Sequence, residues 1–514
     1  MNRRGFVRIA GIAALGSAAV PEFIACGSSQ ARGSERVAIV GAGIAGLVTA
    51  LRLQDAGIAS TIYESSSRVG GRMHSERGYW NQGQHTEWCG AMVDSLHENI
   101  RGLARRFGLG LLDTHAARPP RGRDTCYLDG RYYSMADADR DFAKIYPVLQ
   151  AQLAAIPSTT TYANATPMAR KLDAMSMSDW IARYVPGGIE SQLGRLIAQV
   201  YWNEYGRDAG ELSAVNLVAQ LGAQRHYARD RELNVLGYSD QRYILADGSQ
   251  AIPEAIAGAL PAGSILFEHN LIALRRLPRG TYELRFDHGG NQETVNADRV
   301  VLAIPFVVLR AVDTSGAGFD SAKDNAIQNL GYGYHTKLHL QFDRRAWMRS
   351  PHPWPEATSG QIWTTLRVQS ALDYSLGQSG GDGLIEVFTA GGPAMLDTPP
   401  MPYAHAGDSG AVGRHVRSFF DELDHIWPGV SATWTGKATF GNAQADPNIR
   451  ASYSCWLVGQ CTTVAGHEAR PQGRVHFAGE HTSVAYQGFM EGGAESGVRA
   501  AAEILADYRV RAVG

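Results

Sequence analysis

The chain has 514 residues, 44% of them hydrophobic and 19% charged, with a formal net charge of −2 at pH 7. That is an ordinary globular composition, long enough for two or three domains of about 150 residues each, and it carries no basic footprint for nucleic acid. Five cysteines with no CxxC pair exclude a disulfide scaffold and a zinc ribbon, and no side-chain set has metal-ligand spacing.

The chain opens with Arg3 and Arg4, then Phe6 and a weakly apolar run of small residues. This run is too short and too poor in Leu and Ile to span a bilayer. Residues 1–33 are therefore expected to be a targeting segment, and the arginine pair points to twin-arginine (Tat) export to the periplasm or cell envelope. Phe23-Ile24-Ala25-Cys26 resembles a lipoprotein cleavage box, with Phe where Leu is usual; membrane attachment would come only through a lipid on Cys26.

From Val37 the order is strand, glycine turn, helix, strand, acid. Gly41, Gly43 and Gly46 have G-x-G-x-x-G spacing, "LVTALRLQDAG" has helical periodicity, and "STIY" leads to Glu64. This is the context that turns three glycines into a dinucleotide site. Gly41 permits the turn, Gly43 admits a pyrophosphate, and Gly46 lets helix and strand close up. Glu64 is placed to accept from a ribose diol. Arg68, Gly70, Gly71 and Arg72 follow at once and suit the diphosphate of an extended ligand.

Further along, residues 98–240 read mainly as helix and 311–440 as mixed structure, with strands in "TKLHLQF" and "GLIEVFTA". Alternation puts His335, Lys337 and His339 on one face of a strand. "ADRVVLAIPF" reads as a buried strand halted at Pro305. A strand from Arg474 to Phe477 leads through Gly479 and Glu480 to a helix from about Met490 to Leu505.

The R-x-G-G-R element, the "TK" strand and "GRVHFAGEHTSVAYQGFMEGG" together resemble the flavin-containing amine oxidase family, which includes monoamine and polyamine oxidases. The resemblance extends over essentially everything after Ser34 and is specific at the two ends and around Lys337. It implies an α/β fold in which a discontinuous Rossmann-type FAD-binding domain (34–97, 245–310 and 440–514) carries a mixed α+β substrate domain (98–244 and 311–439). It implies FAD as cofactor, contacted by Gly41, Gly43, Gly46, Glu64, Arg68, Gly71, Arg72, Gly90, Ala91, Met92, Gly479, Glu480, Gly488, Phe489 and Met490. Ser452 stands where covalent members carry the flavin-linking cysteine, so FAD is expected to be non-covalent.

By the same resemblance, Lys337 would hold a water near flavin N5 and assist reoxidation by O2. Tyr453 and Phe489 would flank the substrate nitrogen, with Trp456 and Tyr486 as the next aromatics in line. The implied reaction removes a hydride from a neutral amine and gives an imine that hydrolyses to aldehyde or ketone, while O2 becomes H2O2. An L-amino-acid oxidase, or a dehydrogenase passing electrons to another carrier, remains the alternative. In "CGAMVDSLHENI", Val93 falls where amino-acid oxidases carry a carboxylate-clamping arginine. An amine without a carboxylate is favoured, and Asp94 and Glu204 could attract a second positive group. Another arginine entering from the substrate domain would restore the amino-acid reading. Cys455 and Cys461 are close enough in sequence to bridge, which the sequence does not decide.

Overall fold

A computed structural model describes residues 35–348, 358–395, 399 and 401–513; Arg3, Arg4 and Cys26, on which the export expectation rests, lie outside the described residues. Two sheets organise the remainder. The first is parallel and five-stranded, in the order Val475–Phe477, Arg299–Leu302, Val37–Val40, Ser60–Tyr63, Ile265–Leu266. Its central strand is buried along its whole length, as a parallel strand covered on both faces must be.

One face of this sheet is covered by helix Ile44–Asp55 and the long helix Met490–Val513, which runs past the end expected near Leu505. The two helices meet through small residues. A Cβ on Gly497 would lie 2.5 Å from the Ala45 carbonyl, so the approach is open only to glycine. The other face carries an antiparallel layer, Asn270–Arg276, Tyr282–His288 and Asn291–Ala297. Leu271, Leu284 and Phe286 of that layer pack with Val40, Leu302 and Phe306. Sequence reading overlooked it, although alternation in "YELRF" and a Gly289-Gly290 turn mark a hairpin.

The second sheet has eight strands, with His335–Phe342 running antiparallel between Gly383–Ala390 and Trp434–Gly441. Its period of two sorts the side chains. Leu338, Leu340 and Phe342 join Ile385, Val387 and Phe440 against helices Gly410–Arg417 and Phe420–Ile426. His335, Lys337 and His339 take the opposite face.

Residues 98–244 are mostly helical, but they also contribute a hairpin, Arg123–Leu128 with Arg131–Tyr133. Its turn residues Asp129 and Gly130 have φ of 48° and 76°, the positive pair that a tight hairpin turn demands. The first strand of the hairpin pairs in parallel with Thr358–Thr364, so this hairpin completes one edge of the second sheet. Among the described residues no helix is long and apolar enough to cross a membrane.

Candidate active site

The dinucleotide end is a cradle of bare backbone. Gly41 has φ +102°, which an L side chain rarely adopts, and a Cβ on Gly46 would lie 2.0 Å from the Gly41 carbonyl. Gly43 caps helix Ile44–Asp55 with no side-chain bond and no acid in the first turn, and a Cβ there would meet nothing within 4 Å. Free N–H groups and the positive end of the helix dipole therefore face open space, the arrangement that holds a pyrophosphate. Gly70 and Gly71 border that space: Gly43 bridges Gly70, and Gly71 approaches the Gly43 Cα.

Glu64 is buried at the end of its strand. Its Oε2 accepts from the Ala42 N–H at 2.6 Å and its Oε1 from the Ser66 N–H and hydroxyl at 2.8 and 2.7 Å. Arg68 donates to the Gly71 carbonyl at 2.9 Å and so stiffens the loop of which it is part. Glycine cradle, helix terminus and carboxylate together fit the adenosine diphosphate half of FAD.

The two chain ends are locked together by one carboxylate. Glu480 Oε1 accepts from Arg72 Nη1 at 2.8 Å and the Ser454 N–H at 3.2 Å. Its Oε2 accepts from Ser454 Oγ at 2.7 Å and the Gly488 N–H at 2.8 Å. Burial acts most strongly, against its charge, but Arg72, His481 and Ser454 together hold the acid below the usual carboxylate range. Arg72 Nη1 also donates to the Ser452 carbonyl at 2.7 Å. Gly479 precedes this acid at φ +133° and donates its N–H to Ser496 Oγ. Gly90 donates to the Arg72 carbonyl, and a Cβ on Gly90 would press on the Met490 side chain at 3.1 Å. Ala91 and Met92 run on from there into a small apolar cluster around Trp80 and Tyr374.

Lys337 is 9% exposed, not a surface lysine. Its Nζ lies 3.0 Å from Glu386 Oε2, and His339 Nε2 reaches the same oxygen at 3.0 Å. Burial opposes the Glu386 charge, yet Lys337 and then His339 pull its pKa down to about 2. His335, next on this face, is stacked between Phe388 (4.5 Å between ring centres) and Tyr453 (4.8 Å). Burial lowers its pKa to about 3, so it is a neutral spacer.

Tyr453 stands beside the Gly488–Phe489 turn, where a Cβ on Gly488 would be 3.3 Å from its ring. Its hydroxyl donates to the Glu204 carbonyl at 2.5 Å. Phe489 meets His97 edge to face at 5.2 Å, and Tyr486 meets the same histidine edge to face at 5.5 Å. Trp456 packs against the helical core and the core beneath the parallel sheet, and its carbonyl accepts from Ser213 and Asn216.

Arg72, Cys89, Glu204, Tyr205 and Tyr453 are each only partly buried, and Glu204 acts electrostatically on both tyrosines. Two acids meet here, Glu204 partly accessible and Asp94 buried. Glu204 accepts from Gln220 at 3.1 Å, and burial, with Asp94 nearby, raises its pKa to about 7. Asp94 accepts from Ser239 Oγ and the Gln241 N–H, and burial raises its pKa to about 6. Val93 is fully buried in the core. Cys455 and Cys461 are buried free thiols.

Sequence reasoning missed Glu386, His335 as a ring spacer, and His97. Glu386 left a legible trace, a lone acid in the otherwise apolar "GLIEVFTA". His97 left none, since only the fold brings it to Phe489.

The family profile described as flavin containing amine oxidoreductase matches residues 44–505. The chain is 24% identical over 514 residues to the flavin-dependent L-tryptophan oxidase RebO of Lentzea aerocolonigenes, across 93% of this chain and 99% of that protein. It is 23% identical over 498 residues to polyamine oxidase 4 of Oryza sativa subsp. japonica, across 91% and 88%. Cyclohexylamine oxidase from Brevibacterium oxydans IH-35A superposes with a TM-score of 0.76 at 18% identity, across 93% of this chain and 100% of that one. With the family profile matching nearly the whole chain, this protein belongs to the flavin-containing amine oxidoreductases and is an FAD-dependent oxidoreductase of amines or amino acids.

Proposed function

We propose that this enzyme oxidises an amine that lacks a carboxylate and bears a second positive group, with O2 as electron acceptor and H2O2 as product. The observation that carries the reading is Glu204, partly accessible beside Tyr453 with the buried Asp94 acting on it, and Val93 where a carboxylate clamp would stand. Non-covalently bound FAD supplies the acceptor for the two electrons and the hydrogen that leave the substrate carbon.

The protein's part is placement. Tyr453 and Phe489 flank the reacting nitrogen, and their apolar walls penalise an ammonium there, which favours the free amine. Glu204 holds the distal cation, with the buried Asp94 adding its charge from behind the first contact, and so fixes which carbon is presented. The closed packing of His97 with Phe489 and Tyr486 limits water. Lys337 brings a positive charge to the second sheet's inner face, where it would stabilise negative charge developing during reoxidation. The parallel sheet and both terminal segments are assigned to cofactor binding, and the eight-stranded sheet with the helices of 98–244 to the substrate.

A second reading, an L-amino-acid oxidase, is supported by Arg225. Its buried Nη2 has no hydrogen-bond partner, and the guanidinium acts electrostatically on both Asp94 and His97. The likeness to a tryptophan oxidase points the same way. Anaerobic reduction of the FAD-loaded protein by diamines, monoamines and L-amino acids, followed by air and a peroxide assay, separates the two. Bleaching by diamines with peroxide on aeration is the expected result. Bleaching by amino acids alone would replace the first reading with the second, and slow recovery in air would replace O2 by another acceptor.

Export is a further part of the proposal and is supported by Arg3, Arg4 and Cys26. The Tat route carries proteins already folded around a cofactor. Replacing Arg3 and Arg4 with Lys should leave active enzyme in the cytoplasm; undiminished periplasmic activity would contradict this.

A further inference from the structure

Lysine buried in a sheet tends to lose its proton unless a counter-charge is in contact. On the inner face of the second sheet, that contact is Glu386, 3.0 Å from Lys337 Nζ. The carboxylate is itself held. His339 lies directly opposite in the antiparallel register and reaches the same Oε2 at 3.0 Å, and Thr439 Oγ1 stands 3.4 Å from His339 Nδ1. An ionised acceptor at Nε2 puts the ring proton there, leaving Nδ1 to accept from the threonine. The line Thr439, His339, Glu386, Lys337 thus crosses three strands, with His339 and Lys337 both donating to the Glu386 carboxylate between them. Glu87, the other buried acid acting on Lys337, cannot substitute, because its oxygens are taken by Ser249 and Ser75.

We propose that Glu386, oriented by His339, is a positioning residue that holds the Lys337 ammonium in place for the oxidative half of the reaction. It rests on the reading of Lys337 given above. In that half, two electrons pass from the reduced cofactor to O2, which leaves with two protons as H2O2. A fixed cation lowers the cost of the negative charge in transit.

The test uses the FAD-loaded protein reduced photochemically, so that no substrate need be known. Two quantities are read: the dissociation constant for sulfite, which adds to flavin N5 as an anion and bleaches it, and the rate constant for reoxidation by O2. K337M should weaken sulfite binding and slow reoxidation. E386Q should do both by about tenfold, the low end of what a hydrogen bond between charged groups is worth, and K337M/E386Q should be no worse than K337M alone. E386D, which keeps the charge and shortens the reach, should fall between, and it decides the matter should E386Q fail to retain FAD. Wild-type behaviour of E386Q or E386D beside an impaired K337M would overturn the proposal and leave Lys337 standing. Wild-type behaviour of K337M would overturn both.

Discussion

Glu480 and Glu204 are both acids at depth, and they are treated in opposite ways. Glu480 accepts four hydrogen bonds, one from a guanidinium, and is held ionised. Glu204 accepts one, from a neutral amide, and its pKa is pushed up to about 7. A carboxylate with its acceptor capacity filled by protein does structural work: Glu480 ties Arg72, the Tyr453 segment and the Phe489 turn into one piece. A carboxylate at depth that is left short of donors is pushed toward neutrality, and a ligand cation would relieve it.

The largest effect that tests this contrast is expected at Glu480. E480A strands the Arg72 guanidinium and should destabilise the fold by about 3–5 kcal/mol, as breaking a buried ion pair does, with loss of bound FAD. E480Q keeps the shape and should cost less, about 1–3 kcal/mol. Thermal unfolding with FAD release followed by fluorescence checks both, and an E480A protein that melts like wild type would break the contrast.

E204Q should behave the other way, leaving the fold intact while lowering kcat/KM for a diamine by about 10–100-fold, the worth of one charged contact, and sparing a monoamine. D94N should show the same selectivity with a smaller effect, because two protein donors already occupy the Asp94 side chain.

The pH dependence sharpens the comparison further. A carboxyl raised in the fold stabilises the protein fully below its ordinary value near 4.5 and loses that contribution as pH rises through about 7. The ionised form that a second cation needs is therefore scarce below pH 7, and diamine affinity should climb through that range and then level. E204Q should flatten the climb, which initial rates at several pH values would reveal; an unaltered profile in E204Q would remove Glu204 from the binding account. The smallest effect belongs to Cys455 and Cys461. As free thiols they predict a melting temperature indifferent to reductant, and a drop on reduction would reveal a bridge.

Legibility in the sequence followed physical range. The glycine cradle and Glu64 were readable because a tight βα turn fixes its residues within a short stretch. Lys337 was readable as one of an alternating trio, since period two is a local property. What escaped depends on distant pairings. Nothing local places Glu386 under Lys337, or His97 against Phe489, because both follow from strand register and loop packing. Arg72 was expected to face a diphosphate, and only the fold discloses its bond to Glu480, 408 residues away. The antiparallel layer over the parallel sheet was overlooked for another reason. An exposed alternating hairpin inside an α/β chain resembles an ordinary loop until its apolar half, Leu271, Leu284 and Phe286, is seen to close a core.

The most direct measurement is the rate of anaerobic flavin reduction in wild type and E204Q, side by side, with a diamine and a monoamine of equal chain length. The account predicts that the diamine reduces the wild-type flavin faster, and that E204Q erases this advantage while leaving the monoamine rate as it was. Equal rates for both amines in the wild type, or an E204Q protein that still prefers the diamine, would contradict it.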